Sequence, residues 1–244
     1  MSAMCATEAA DHACHYPLLR SAPMLRVAVL ASKTGTNFQA LHDACTSGYL
    51  EAEVACVVSN KRSAPVMERA RAAGVEDVFV PHKGLERDQI DEAILRELEA
   101  RDIGLVCHAG YMRIRGRTYC KALEGRAMNV HPSLLPAFPG ASPISDAWDW
   151  GVRTSGVTVH FATEDLDMGP IIEQRAVQIT EDDTLETFEE KIHLMEYVLY
   201  PRAVKLFAEG RLKIEGRRVL KGGDVDDPPW AGSLPPGLAV GGGG

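Results

Sequence analysis

Asn129 and His131 stand two residues apart in AMNVHP, at the end of a short apolar run closed by Pro132. In a strand, residues i and i+2 share a face, so an amide donor and an imidazole project together from the end of the run and can converge on one atom. Such a pair suits a reaction in which negative charge develops on a carbonyl oxygen. One well-placed donor lowers that kind of barrier by roughly 3 kcal/mol, and a positioned acid or base contributes about 10²–10⁴ in rate. A histidine that only caps a strand end fits the same residues. Asp167, in EDLDMGP, falls in a turn between two strand-like runs, where Gly169 and Pro170 reverse the chain. Alone it reads as a solvated turn aspartate. Folded back on His131, it would hold the ring's tautomer and favour its protonated form.

A second group lies upstream. Ser32-Lys33-Thr34-Gly35-Thr36-Asn37 follows LRVAVLA and runs straight into the helical pattern NFQALHDACTSG. Free N–H groups at a helix start, with the positive end of its dipole, make a cradle for phosphate. The loop is neither the three-glycine dinucleotide fingerprint nor a Walker loop, so NAD chemistry and nucleotide hydrolysis lose support. A tight turn and helix cap at Gly35 and Thr36 account for the same residues.

The elements that must position these groups alternate. Strand-like LRVAVLAS, VACVVSN, VFVP, IGLVCHAG and AMNVH are separated by helical patterns at 37–48, 65–73, 87–101 and near Arg117. This βαβα rhythm predicts an α/β fold, a Rossmann-like mostly parallel sheet with helices on both faces and ligands beyond the carboxyl ends of its strands. After Gly140 the rhythm changes to VTVHFAT, a long strand over GPIIEQRAVQIT, a helix over 184–208 and LKIEGRRVL. An antiparallel C-terminal portion is expected there, with LKIEGRRVL as an edge strand or a hairpin arm outside the sheet.

A single catalytic domain over 23–221 is the simplest organisation for 244 residues. Residues 1–22 lack hydrophobic periodicity, and 222–244 are so rich in Gly and Pro that both ends are expected to be disordered. No apolar run approaches the roughly 20 residues of a membrane span and no secretory signal is visible, so a cytoplasmic protein is expected. A formal charge of −8 argues against a nucleic-acid surface but leaves room for a single anionic ligand. The six cysteines form no CxxC pair, and Cys56 and Cys107 sit in apolar runs as buried hydrophobes. Cys5, His12, Cys14 and His15 lack tetrahedral spacing, so no metal is expected. His160 alternates with Val159 and Phe161 and reads as a structural histidine.

Taken as a set, SKTGTN, AGYMRI, NVHPSLLPAFPG, GVTVHFATEDLDMGPII and EKIHLMEYVLYP resemble the folate-dependent phosphoribosylglycinamide formyltransferase family, in its order and at its spacing over roughly 25–220. The resemblance implies the formyltransferase fold and transfer of a formyl group from 10-formyltetrahydrofolate to the amine of glycinamide ribonucleotide, by a monomer or homodimer. It implies that Asn129 and His131 stabilise the oxyanion and that Asp167 supports His131 and the proton transfer. Gly35, Thr36 and Asn37 match the substrate-phosphate loop, and Glu196 the glutamate at the glycinamide end, although Glu196 by itself reads as a solvated helix face. Met112, Arg113, Ile114 and Arg115, with Asn129, match the folate side, and Arg87 a folate-tail contact. Arg115 stands where the family has an apolar residue, and Lys33 and Thr34 where it has smaller ones. Lys33 would add charge near a phosphate, whereas ASPISDAWDW lacks the histidines of many relatives and is given no catalytic role. The tRNA formyltransferases need a further C-terminal domain and the formyltetrahydrofolate hydrolases a preceding regulatory one, for which the sequence leaves no room. A sugar-phosphate-binding module would use the loop but need no Asn129, His131 and Asp167.

Overall fold

Runs of Val, Ala and Leu make β1 (Leu25–Leu30) and β2 (Ala52–Ser59) apolar on both faces, as a strand covered by helices on either side must be. Val27 and Val29 face one helical layer, and Ala28 and Leu30 the other. The computed structural model describes residues 24–111, 116–235 and 238. Among them β3 (Glu76–Phe79), β2, β1, β4 (Leu105–His108) and β5 (Ala127–His131) run parallel in that order. β6 (Thr154–Phe161) then pairs antiparallel with β5, and β7 (Ile171–Gln178) antiparallel with β6. LKIEGRRVL forms both arms of a hairpin, β8 (Leu212–Glu215) and β9 (Arg218–Lys221), and β9 meets β7 in parallel at Ile171 and Arg218. The result is the mostly parallel α/β sheet with an antiparallel C-terminal part.

Helices α1 (Thr36–Thr46), α2 (Pro65–Ala72), α5 (Pro143–Trp150) and α6 (Leu185–Ala208) cover one face through Phe38, Met67, Ala147, Phe188 and Ile192. On the other, α3 (Arg87–Glu99) and α4 (Arg117–Ala122) bury Ile94, Leu98 and Tyr119. Each of the larger side chains contributes about 1.5–3 kcal/mol of burial, offset in part by lost conformational freedom. α6 starts from a capping box: the Thr187 amide donates to Thr184 Oγ1 at 3.3 Å and the Thr184 amide to Thr187 Oγ1 at 2.9 Å.

One part of the chain adds an element the rhythm did not show, and another differs from the expectation. ASPISDAWDW forms α5, with Pro143 in its first turn and Gly151 left-handed at its end, punctuation that was present in the sequence. The tail does not lose structure at residue 222. It carries a 3-10 helix over Pro229–Ser233 and buries Val225, Ala231 and Leu238, so the folded unit extends past 221. Composition missed the reason, which is a charge: Arg202 of α6 is buried and draws its partners from Glu173 of β7 at 3.0 Å, Asp224 at 2.6 Å and Asp227 at 2.7 Å. A buried guanidinium without carboxylates would be prohibitively costly, so the tail is held where those acids reach it. The extension over 1–22 lies outside the described residues, with Cys5, His12, Cys14 and His15. No helix among the described residues is long and apolar enough to cross a membrane.

Candidate active site

The carboxyl ends of β1, β4 and β5 open onto a cleft of about 390 Å³. Period-2 alternation puts Asn129 and His131 on the same face of β5, and the antiparallel register sets Asn129 opposite His160 and His131 opposite Thr158. Thr158 fastens the segment after Pro132: its hydroxyl donates to the Ser133 carbonyl at 2.7 Å and accepts from the Leu135 amide at 3.1 Å. The chain therefore folds back over the end of β5. His131, buried, donates from Nε2 to the Phe138 carbonyl at 2.8 Å, which assigns the proton of that nitrogen. Its Nδ1 lies 3.5 Å from Asp167 Oδ2.

Asp167 sits in the turn between β6 and β7 with a left-handed φ of 56°, an unfavourable conformation for a residue other than glycine. The surroundings impose it. Asp167 Oδ2 accepts the Gly140 amide at 2.9 Å, and Gly169 lies so close to β6 that a Cβ there would fall 1.7 Å from the Phe161 carbonyl oxygen. Asp167 Oδ1 is 3.8 Å from His160 Nε2. Burial pushes the His160 ring below its ordinary pKa. Its Nδ1–H donates to the Phe161 carbonyl at 2.9 Å, leaving Nε2 to accept from Asn129 Nδ2 at 3.2 Å. One N–H of the Asn129 amide is thus occupied and its plane is fixed. His160, read from sequence as structural, is a wall of the cleft and the orienter of Asn129. Alternation placed it on a face, but only the β5–β6 pairing shows which neighbour it meets.

At the other end of the cleft Gly35 caps α1 with φ 79°, and a Cβ there would come within 2.4 Å of Val66. Backbone and packing therefore both demand glycine. No side chain caps α1, so its first-turn amides remain available beside Thr36. Asn37 Nδ2 donates to Glu196 Oε2 at 2.9 Å, and Asn37 Oδ1 is buried and meets no donor among the described residues. Glu196 is only 4% exposed, which overturns its reading as a solvated helix face. Its carboxylate is also 3.0 Å from His193 Nδ1, and this hydrogen bond holds the His193 ring above its ordinary pKa. His193, which sequence reasoning did not single out, lines the cleft with Glu196.

The formyl transferase family matches residues 25–204, most of the chain. This chain belongs to the formyl transferase family. Its similarity to phosphoribosylglycinamide formyltransferase of Bacillus subtilis (strain 168) is 40% identity over 183 residues, 75% of this chain and 94% of that protein. It is likewise 40% identical over 191 residues to the trifunctional purine biosynthetic protein adenosine-3 of Gallus gallus, spanning 78% of this chain and 19% of that longer protein. Among solved structures, glycinamide ribonucleotide transformylase 1 from Symbiobacterium toebii superposes with a TM-score of 0.79 at 45% identity, covering 81% of this chain and 94% of that one.

For this formyl transferase, the seven residues expected to catalyse or to hold the acceptor substrate, Gly35, Thr36, Asn37, Asn129, His131, Asp167 and Glu196, line one cleft. Asn129 and His131 share a face, but here their donors point to His160 and Phe138 rather than to a common atom. Met112, Arg113, Ile114 and Arg115 lie outside the described residues, following Tyr111 at the cleft wall. Among the described residues that line the cleft Arg87 is not one: it is exposed at the start of α3, with its stem against Gly116. Buried Cys56 and Cys107 are pushed up to about 12, thiols too weakly acidic to be nucleophiles.

Proposed function

We infer that this enzyme transfers the formyl group of 10-formyltetrahydrofolate to the glycine amine of N1-(5-phospho-D-ribosyl)glycinamide, giving formylglycinamide ribonucleotide in de novo purine biosynthesis. One observation carries the reading: a single cleft joins an uncapped helix start at Gly35–Asn37 to the Asn37–Glu196 pair and to Asn129, His131 and Asp167. A phosphate at one end, an ammonium or amide in the middle and a developing oxyanion at the other match those groups in order. The solved relative with a TM-score of 0.79 supports the same substrate.

In this reading the substrate phosphate takes the amides of Gly35, Thr36 and Asn37, with Lys33 adding charge at the mouth. Glu196 and the unpartnered Asn37 Oδ1 accept from the glycinamide nitrogens. The amine nitrogen bonds to the formyl carbon, and the C=O electron pair moves to oxygen as a tetrahedral oxyanion. The free N–H of Asn129 and the His131 ring stabilise that oxyanion, His131 Nε2 exchanging the Phe138 carbonyl for it. Collapse breaks the bond from carbon to folate N10. The proton lost by the amine reaches N10 by way of the His131–Asp167 pair. Met112, Arg113, Ile114 and Arg115, with Asn129, take the folate side. Arg87, exposed at the start of α3, contacts the folate tail. Both substrates are water-soluble anions, in keeping with a cytoplasmic monomer or homodimer.

The purified protein, mixed with glycinamide ribonucleotide and 10-formyl folate, is expected to release deformylated folate, followed by absorbance, only when the amine substrate is present. Release without the amine would assign a hydrolase, and no release would leave a sugar-phosphate-binding module.

A further inference from the structure

α6 carries an internal proline, Pro201. Proline has no N–H, so the carbonyl four residues earlier, that of Tyr197, cannot receive its helical hydrogen bond. The tail supplies the missing donor: Trp230 Nε1 donates to the Tyr197 carbonyl at 3.1 Å. Trp230 is held there by an edge contact with Tyr49, ring centroids 6.1 Å apart, while the Tyr49 hydroxyl donates to the Asp226 carbonyl at 2.6 Å. The carboxylates of Asp224 and Asp227 anchor the same segment to buried Arg202. Residues 224–234 thus form a strap across the break in α6, beyond residue 204 where the family match ends.

The strap lands beside the substrate groups. Tyr197 follows Glu196 directly, and its ring lies parallel to that of His193 at 6.4 Å and 9°. His193 in turn bonds Glu196. The Tyr197 carbonyl, deprived of its helical donor by Pro201, is served instead from the C-terminal segment.

We propose that Trp230 is a positioning residue of the acceptor-substrate site, its indole N–H bracing the Pro201 break so that Glu196, His193 and Tyr197 keep the register that receives the substrate. The proposal rests on the acceptor assignment above. Trp230→Phe keeps the ring and removes the N–H. It is expected to raise KM for glycinamide ribonucleotide roughly three- to tenfold, while kcat and KM for the folate stay within about twofold. Pro201→Ala restores an N–H from inside the helix, and in that background Trp230→Phe should leave KM within about twofold. Hydrogen exchange of the amides at 193–197 should quicken in Trp230→Phe and return towards wild type in the double variant. An unchanged KM, an equal rise in KM for both substrates, or the same loss with and without Pro201 would overturn the positioning role and leave a fold staple. If the wild-type protein does not formylate the amine, the acceptor assignment fails, and unchanged exchange at 193–197 in Trp230→Phe would then sink the brace as well.

Discussion

His131 has an oxygen on each side, the Phe138 carbonyl at Nε2 and Asp167 at Nδ1, and Asp167 is in turn fixed by the Gly140 amide. The ring and its carboxylate therefore act as a unit. His131→Ala and Asp167→Asn should each lower turnover by about 10²–10⁴, with far-UV circular dichroism unchanged, and the double variant should lose little more than either alone. Near-normal turnover in both single variants would refute their roles. His160 acts one step back, through Asn129. His160→Ala leaves the Asn129 amide without its acceptor and should lower kcat roughly tenfold while sparing KM for both substrates. A loss as large as that of Asn129→Ala would mean instead that His160 touches the reacting atoms.

At the scale of elements, α1 and α6 meet through Asn37 and Glu196 and share the acceptor end of the cleft. Gly35→Ala would place a left-handed alanine against Val66, and should cost about 1–3 kcal/mol in denaturant unfolding as well as raise KM for the phosphate-bearing substrate. On α6, the His193 ring titrates above its ordinary value of 6.5, chiefly through its hydrogen bond to Glu196, with Glu189 also facing it at 3.6 Å. Because the folded pKa is the higher one, the stabilisation is complete below pH 6.5 and fades as pH rises through the folded value. The difference in unfolding free energy between wild type and His193→Gln should therefore be largest near about pH 5 and shrink by about pH 9. A difference that grows with pH would contradict the assignment of His193 to Glu196. In α5, Pro143 in the first turn and Gly151 past the end were signals that the alternation reading passed over, and nothing local showed that β9 would join β7.

At the C-terminal side of the molecule a charge network joins the apolar packing of Val225, Ala231 and Leu238. Arg202 gathers Glu173, Asp224 and Asp227, Lys221 lies 3.1 Å from Glu173, and Arg175 3.1 Å from Asp227. Arg202→Met strands Glu173 beside a half-exposed lysine and frees the strap, so unfolding should show a loss of about 3–5 kcal/mol. Adding Glu173→Leu should recover part of it. A loss below about 1 kcal/mol in the single variant would mean that water already serves these carboxylates.

The residue order alone determined the βαβα alternation, the strand faces of Asn129 and His131 and the helix start at Gly35, because each depends on local periodicity and on backbone freedom at a few positions. The motifs in sequence also carried the likeness to the formyl transferases. Three things were decided only in three dimensions: that Asp167 turns back on His131, that Glu196 is buried against Asn37, and that His160 stands beside Asn129. Each is a contact between residues 31 or more apart, made by a strand register, a returning turn or a helix pair that local propensity does not encode. The tail is the clearest case. Its Gly and Pro content spoke for disorder, but a buried guanidinium on α6 and a carbonyl orphaned by Pro201 need partners, and those needs exist only once α6 is packed.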